Sequence, residues 1–253
     1  MRLLPLLLLA LSTAASAGTI SLKAADGVTV QADAAGSGTT GLVLVPGDGR
    51  LRGDWADAVA SLARRGHQVV ALDLRKAGTD PVDEATRAAM VQEVKAAADW
   101  LRAHGATRVV LVGADSGASI ALAAAAGDPN IQNVVMLSPR LSTPGIRLTD
   151  ALTAYGARPL LLVTSTGDTT GVRAAGALGD RATGAHRVEL VEGTATGAQL
   201  LRQTPALEGL LLSWVTTDGK LGEDGTGQAA PVGSTDTSAI HTTGTRLGEE
   251  VPK

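Results

Sequence analysis

The chain has 253 residues, 44% of them hydrophobic, a formal net charge of -3 and no cysteine. So mild a balance, with no basic cluster to offset it, speaks against a nucleic-acid surface. Lacking thiols, the chain has no disulfide framework, and with no Phe and a single Tyr its core must be packed from Leu, Val, Ala and Ile.

Residues 1–17 read as a secretory signal peptide. Arg2 supplies a short positive region, Leu3 to Leu11 an apolar run too short to span a bilayer, and Ala15-Ser16-Ala17 a small-x-small cleavage site. The expectation is an exported protein, periplasmic or extracellular, that does not span the membrane. What remains suits one α/β domain, residues 18–217, with a tail at 218–253.

Ile20 to Lys23 and Val28 to Ala32 read as a hairpin turning at Asp26-Gly27. Leu42 to Val45 is a short apolar strand ending at Pro46-Gly47-Asp48-Gly49. Trp55, Ala58, Val59 and Leu62 have helical spacing, and Gly66 stops that helix. Val69 to Leu74 is the next strand. Asp83 to His104 is a longer helix with a buried stripe at Met90, Val94, Ala97, Ala98 and Leu101. Val109 to Val112 is a strand, followed by a helix over Ser119 to Ala126. Val134 to Leu137, Leu160 to Thr164 and Val188 to Val191 complete the strands. Helices are expected near 148–155, 172–178 and 205–214. Apolar strands alternating with amphipathic helices give a mostly parallel sheet covered on both faces, with an antiparallel N-terminal edge. From Asp218 onward, Gly, Thr, Ser and Asp dominate; this reads as a disordered, low-complexity tail, either a solvated extension or a tether to a partner.

Between the fifth strand and its helix lies Gly113-Ala114-Asp115-Ser116-Gly117, with the spacing of a nucleophile elbow. With this elbow, the segments Leu42 to Gly49, Arg158 to Asp168 and Val188 to Gly197 together resemble the α/β-hydrolase fold. The similarity is greatest to dienelactone-hydrolase-like and esterase-like bacterial members. The resemblance implies a nucleophile slot at Asp115, an acid slot at Asp168, a histidine slot at Thr196 and an oxyanion loop at Pro46-Gly47, where His-Gly is usual. Only Asp168 keeps the residue type of that plan. Some members use an elbow aspartate to attack carbon, but hydrolysis of the resulting ester still needs a histidine base.

The chain has four histidines. His67 and His186 precede strands, whereas sites in this architecture lie at strand carboxyl ends. His104 ends a helix and His241 lies in the tail. Ser116 falls one residue late for the elbow apex. Asp48, Asp115 and Asp168 should approach one crevice, where a Ca²⁺ or Mg²⁺ ion would relieve their repulsion; otherwise Asp48 and Asp168 are loop residues capping turns. The leading expectation is a protein without an intact catalytic triad, its triad-equivalent positions being Asp115, Asp168 and Thr196. Its pocket and oxyanion loop are Gly47, Asp48 and Ser116, with no cofactor and no committed metal ligand. It would bind a small molecule or a cell-envelope partner. The competing expectation is a weak hydrolase that uses Asp115 with another base.

Overall fold

A computed structural model describes residues 18–78 and 81–220. The expected signal peptide and all but the first residues of the expected tail, with His241, lie outside the described residues.

Eight strands form one sheet: β1 (Gly18–Lys23), β2 (Thr29–Ala35), β3 (Thr40–Val45), β4 (Gln68–Leu72), β5 (Arg108–Ala114), β6 (Ile131–Leu137), β7 (Leu160–Ser165) and β8 (His186–Val191). Their spatial order is β1-β2-β4-β3-β5-β6-β7-β8. β1 pairs antiparallel with β2, and β2 antiparallel with β4. Every other pairing is parallel. β3 to β6 are Val/Leu-rich because both of their faces are covered, as parallel strands require.

The helices are α1 (Ala56–Arg64), α2 (Glu84–Ala103), α3 (Ser116–Ala126), α4 (Leu148–Tyr155), α5 (Thr169–Gly179), α6 (Gln199–Gln203) and α7 (Pro205–Thr216). A 3-10 turn at Arg52–Trp55 leads into α1. Side chains alternate along each strand between two cores. Val109 and Leu111 meet the apolar faces of α2, α3, α4 and α5 on one side. Val110 and Val112 meet those of α1, α6 and α7 on the other, with Trp55 and Trp214 buried there. Asn133, fully buried in β6, accepts from Trp214 Nε1 at 3.1 Å through its Oδ1, which gives the buried indole N–H a partner inside the apolar layer. Asp83 caps α2 by accepting from the Thr86 N–H at 2.8 Å.

The expected α/β architecture and antiparallel edge are both present. Two short elements carried no periodic signal, the 3-10 turn and α6. The helix after the elbow starts at Ser116 rather than Ser119, because the turn occupies Asp115 alone. No described helix is long and apolar enough to cross a membrane.

Candidate functional site

The parallel strands all end on one rim of the sheet, and the loops leaving that rim build the site. β5 runs into α3 with Asp115 as the single turning residue, at φ 50° and ψ -120°. That is a region of positive φ where side chains are strained. Small neighbours are obligatory here. A Cβ on Gly117 would overlap the carbonyls of Val45 and Pro46, and one on Gly113 would overlap the backbone of Gly117 and Ala118. The elbow glycines thus let β3's loop and α3 close onto the turn.

The Asp115 carboxylate stands at the N-terminal end of α3, whose dipole favours a negative charge. Asp168 lies at the end of β7 and caps α5, accepting from the Gly171 N–H at 2.9 Å. Between the two carboxylates lies Arg140, from the loop after β6. Its Nη2 donates to Asp115 Oδ1 at 2.9 Å and its Nη1 to Asp168 Oδ1 at 3.0 Å. One guanidinium therefore bridges the elbow carboxylate to the acid slot. Burial pushes the Asp115 carboxyl above the ordinary carboxylate value, with Arg140 pulling against it. Burial also acts to raise Asp168, but the Gly171 N–H and Arg140 outweigh it and hold that carboxyl below its ordinary value.

The expected convergence of Asp48, Asp115 and Asp168 needs correction. Asp48 is turned to Arg87 on α2, whose Nε and Nη2 lie 3.1 and 2.5 Å from Asp48 Oδ2. Arg87 is buried and also donates to the Pro144 and Val82 carbonyls. An arginine thus compensates each carboxylate that was expected to attract a metal ion, and no group of three potential metal ligands occurs among the described residues. Ser116 faces the β3 loop: its Oγ accepts the Asp48 N–H at 2.8 Å. This bond spends one N–H of the expected oxyanion loop inside the protein.

Gly47 packs against Asp115, and together with Thr196 they line a cleft of about 20 Å³, completed by Arg50, Trp55 and Arg202. Thr196 leads into Gly197, where φ is +55° and an added Cβ would strike Asp115 Oδ2. The Gly197 N–H donates to Ser138 Oγ at 3.0 Å, tying the loop after β8 to the loop after β6. Among the described residues no histidine lines the cleft. His67 and His186 stand at the opposite ends of the strands, and His104 at the end of α2.

Arg140 was missed in the sequence because nothing marks it as chemical by residue type. Strand order is the signal that finds it. β6 lies between β5 and β7, so the residue leaving β6 has to fall between the elbow after β5 and the acid after β7.

An elbow after the fifth strand, an acid after the seventh and a sheet in this order define an α/β-hydrolase-fold protein. Residues 42–238 match the alpha/beta hydrolase family, and the chain belongs to that family. Solved structures agree on the fold. An esterase from Pyrococcus furiosus is 16% identical over 81% of this chain and 91% of its own, with a TM-score of 0.66. Dienelactone hydrolase from Anabaena variabilis is 18% identical over 81% of this chain and 99% of its own, at 0.67. A CIB-like hydrolase from Thermoplasma acidophilum is 19% identical over 80% of this chain and 99% of its own, at 0.62. Among curated proteins none matches the chain.

Proposed function

We propose that this member of the family is an exported, non-hydrolytic binding protein of the cell envelope. The observation that carries the reading is the bridge from Asp115 through Arg140 to Asp168. Hydrolysis on this fold needs a group between nucleophile and acid that accepts a proton and gives it back. A guanidinium holds its proton throughout the physiological range and cannot do this. In its place Arg140 pairs with both carboxylates at once and fixes them against each other.

Two further features support the reading. The Asp48 N–H already serves Ser116 Oγ, so it is not free to stabilise a developing oxyanion. The cleft at Asp115, about 20 Å³, has room for roughly one water. Sites that enclose a small organic ligand are larger by at least about tenfold. This favours recognition over the loop surface around the cleft. Export rests on the leader at residues 1–17.

The test is a panel of short-chain esters and lactones assayed with the purified protein and with Asp115→Ala. Equal, background-level turnover by both supports the reading. Turnover that disappears in Asp115→Ala would replace it with an atypical hydrolase acting through Asp115, and a stable mass adduct on Asp115 would identify the trapped step. Cell fractionation tests the export half separately, and recovery of an uncleaved chain in the cytoplasm would remove it.

A further inference from the structure

β8 closes the sheet opposite the hairpin, and its inner side is fully described. Leu160 N–H donates to Ala185 O and Thr166 N–H to Val191 O, on either side of the parallel register Leu160↔His186 to Ser165↔Val191. In such a ladder alternate residues turn both backbone groups to the neighbour. Arg187, Glu189 and Val191 therefore address β7. His186, Val188 and Leu190 turn their N–H and C=O groups outward, and no described backbone group pairs with them.

Side chains follow the same alternation. Arg187 and Glu189 share one face. Arg187 Nη2 and Nε donate to Glu189 Oε2 at 2.7 and 2.9 Å. The Glu189 side chain is 2% exposed and that of Arg187 is 30% exposed. Val188, on the other face, is only partly buried.

We infer that β8 is a self-pairing edge: two copies of this chain join antiparallel through β8 about a twofold axis at Val188, giving one sheet across the dimer. The charge pattern selects that register. A twofold centred on Arg187 sets two arginines opposite each other, and one centred on Glu189 sets two glutamates opposite; like charges in directly opposed positions destabilise a sheet. Centred on Val188, each Arg187 faces the partner's Glu189 in a non-hydrogen-bonded pair, the closer of the two cross-strand spacings. The outward groups of Val188 then meet their own copies, and those of His186 meet those of Leu190. The contact is isologous, so it closes at two chains and leaves no further edge at β8. The site at Asp115 lies at the strand carboxyl ends, on loops that this contact does not use.

The experiment is amide hydrogen exchange by NMR together with sedimentation velocity on the purified protein over a concentration series. The expected result is a mass that doubles with concentration while exchange of the His186, Val188 and Leu190 amides slows in step. Val188→Pro removes the outward N–H and none of the ladder bonds to β7, at a position where an edge strand tolerates proline, and trades the partly buried valine for another apolar side chain. It is expected to keep the wild-type circular dichroism spectrum and to raise the dimerisation midpoint by about tenfold, the worth of the central hydrogen bonds. A monomer at every concentration overturns the proposal, and Arg187–Glu189 then serves to blunt the edge with inward charge. A dimer in which those three amides still exchange freely also overturns it, because another surface joins the chains. Should Val188→Pro fail to fold, the exchange measurement on the unaltered protein decides alone.

Discussion

Replacing Arg140 with alanine removes the cation shared by Asp115 and Asp168. The magnitude lies between two limits. Breaking a fully buried pair costs about 3–5 kcal/mol and breaking an exposed pair up to about 1 kcal/mol. The Asp168 side chain is 6% exposed, but those of Arg140 and Asp115 are 28% and 27% exposed, so solvent screens part of the interaction. Asp168 also keeps its bond from Gly171. The expected loss is therefore about 2 kcal/mol at neutral pH, or roughly 4–8 °C in Tm for a domain of this size. The loss must depend on pH. Asp115 sits above its unfolded value, so its contribution is present at low pH and fades as pH rises through its folded value. Without Arg140 that value climbs further, and the variant loses more. Asp168 sits below its unfolded value, so its contribution is present at high pH and is lost on acidification through its folded value. Without Arg140 this contribution shrinks. Both effects widen the gap between wild type and Arg140→Ala as pH rises. Urea unfolding at neutral pH and at about pH 4 reads that gap. Arg140→Lys, with charge but no fork, should fall between the two. A penalty equal at both pH values would refute the electrostatic reasoning and make Arg140 a packing residue.

Asp48→Ala leaves the Arg87 guanidinium buried with only the Pro144 and Val82 carbonyls. It should destabilise by about 2–4 kcal/mol in urea unfolding, with Asp48→Asn milder. Gly197→Ala pays for a side chain at φ +55° and for its contact with Asp115 Oδ2. We expect a loss of about 2 kcal/mol, falling to about 1 kcal/mol when measured in an Asp115→Ala background; an unchanged penalty there would show that the steric contact is not what Gly197 avoids.

The strands, the helices α1 and α2 and the elbow were legible because their signals are local: apolar runs for strands covered on both faces, helical spacing for α1 and α2, and paired glycines where backbones close in. The site was legible as positions and not as partners. Arg87 stands three residues before Met90, in line with the apolar stripe of α2. A buried arginine at such a position requires an acid, and that requirement turned Asp48 away from the crevice. The alignment of Asp48 with Asp115 and Asp168 failed because adjacency of loops on one rim fixes where backbones leave the sheet and not where side chains point. Arg140 shows the complementary lesson. Its type says nothing, but its place after the strand between β5 and β7 decides what it touches. Short elements such as α6 hold by tertiary contact alone, through the buried Leu200 and Leu201, and leave no periodic trace.

The elbow keeps its strained backbone around a carboxylate paired with Arg140, and the two contributions can be separated. Asp115→Ala deletes the ion pair but retains a side chain at φ 50°. Asp115→Gly deletes the same ion pair and also releases the strain. Glycine normally costs about 0.5–1 kcal/mol relative to alanine, because its unfolded chain is freer. The strained position works the other way, by about 1–3 kcal/mol. Since both variants lose the contact with Arg140 equally, their difference isolates the backbone. Glycine should therefore be the more stable of the two by about 1 kcal/mol in urea unfolding, while both remain below wild type. If alanine proves the more stable, the turn at Asp115 is not strained. The elbow would then be a relaxed feature of the fold that needs no side chain to justify it. If glycine exceeds wild type, the bridge to Arg140 does not repay the strain of holding Asp115, and what keeps the carboxylate there must be a ligand or partner that reaches the crevice.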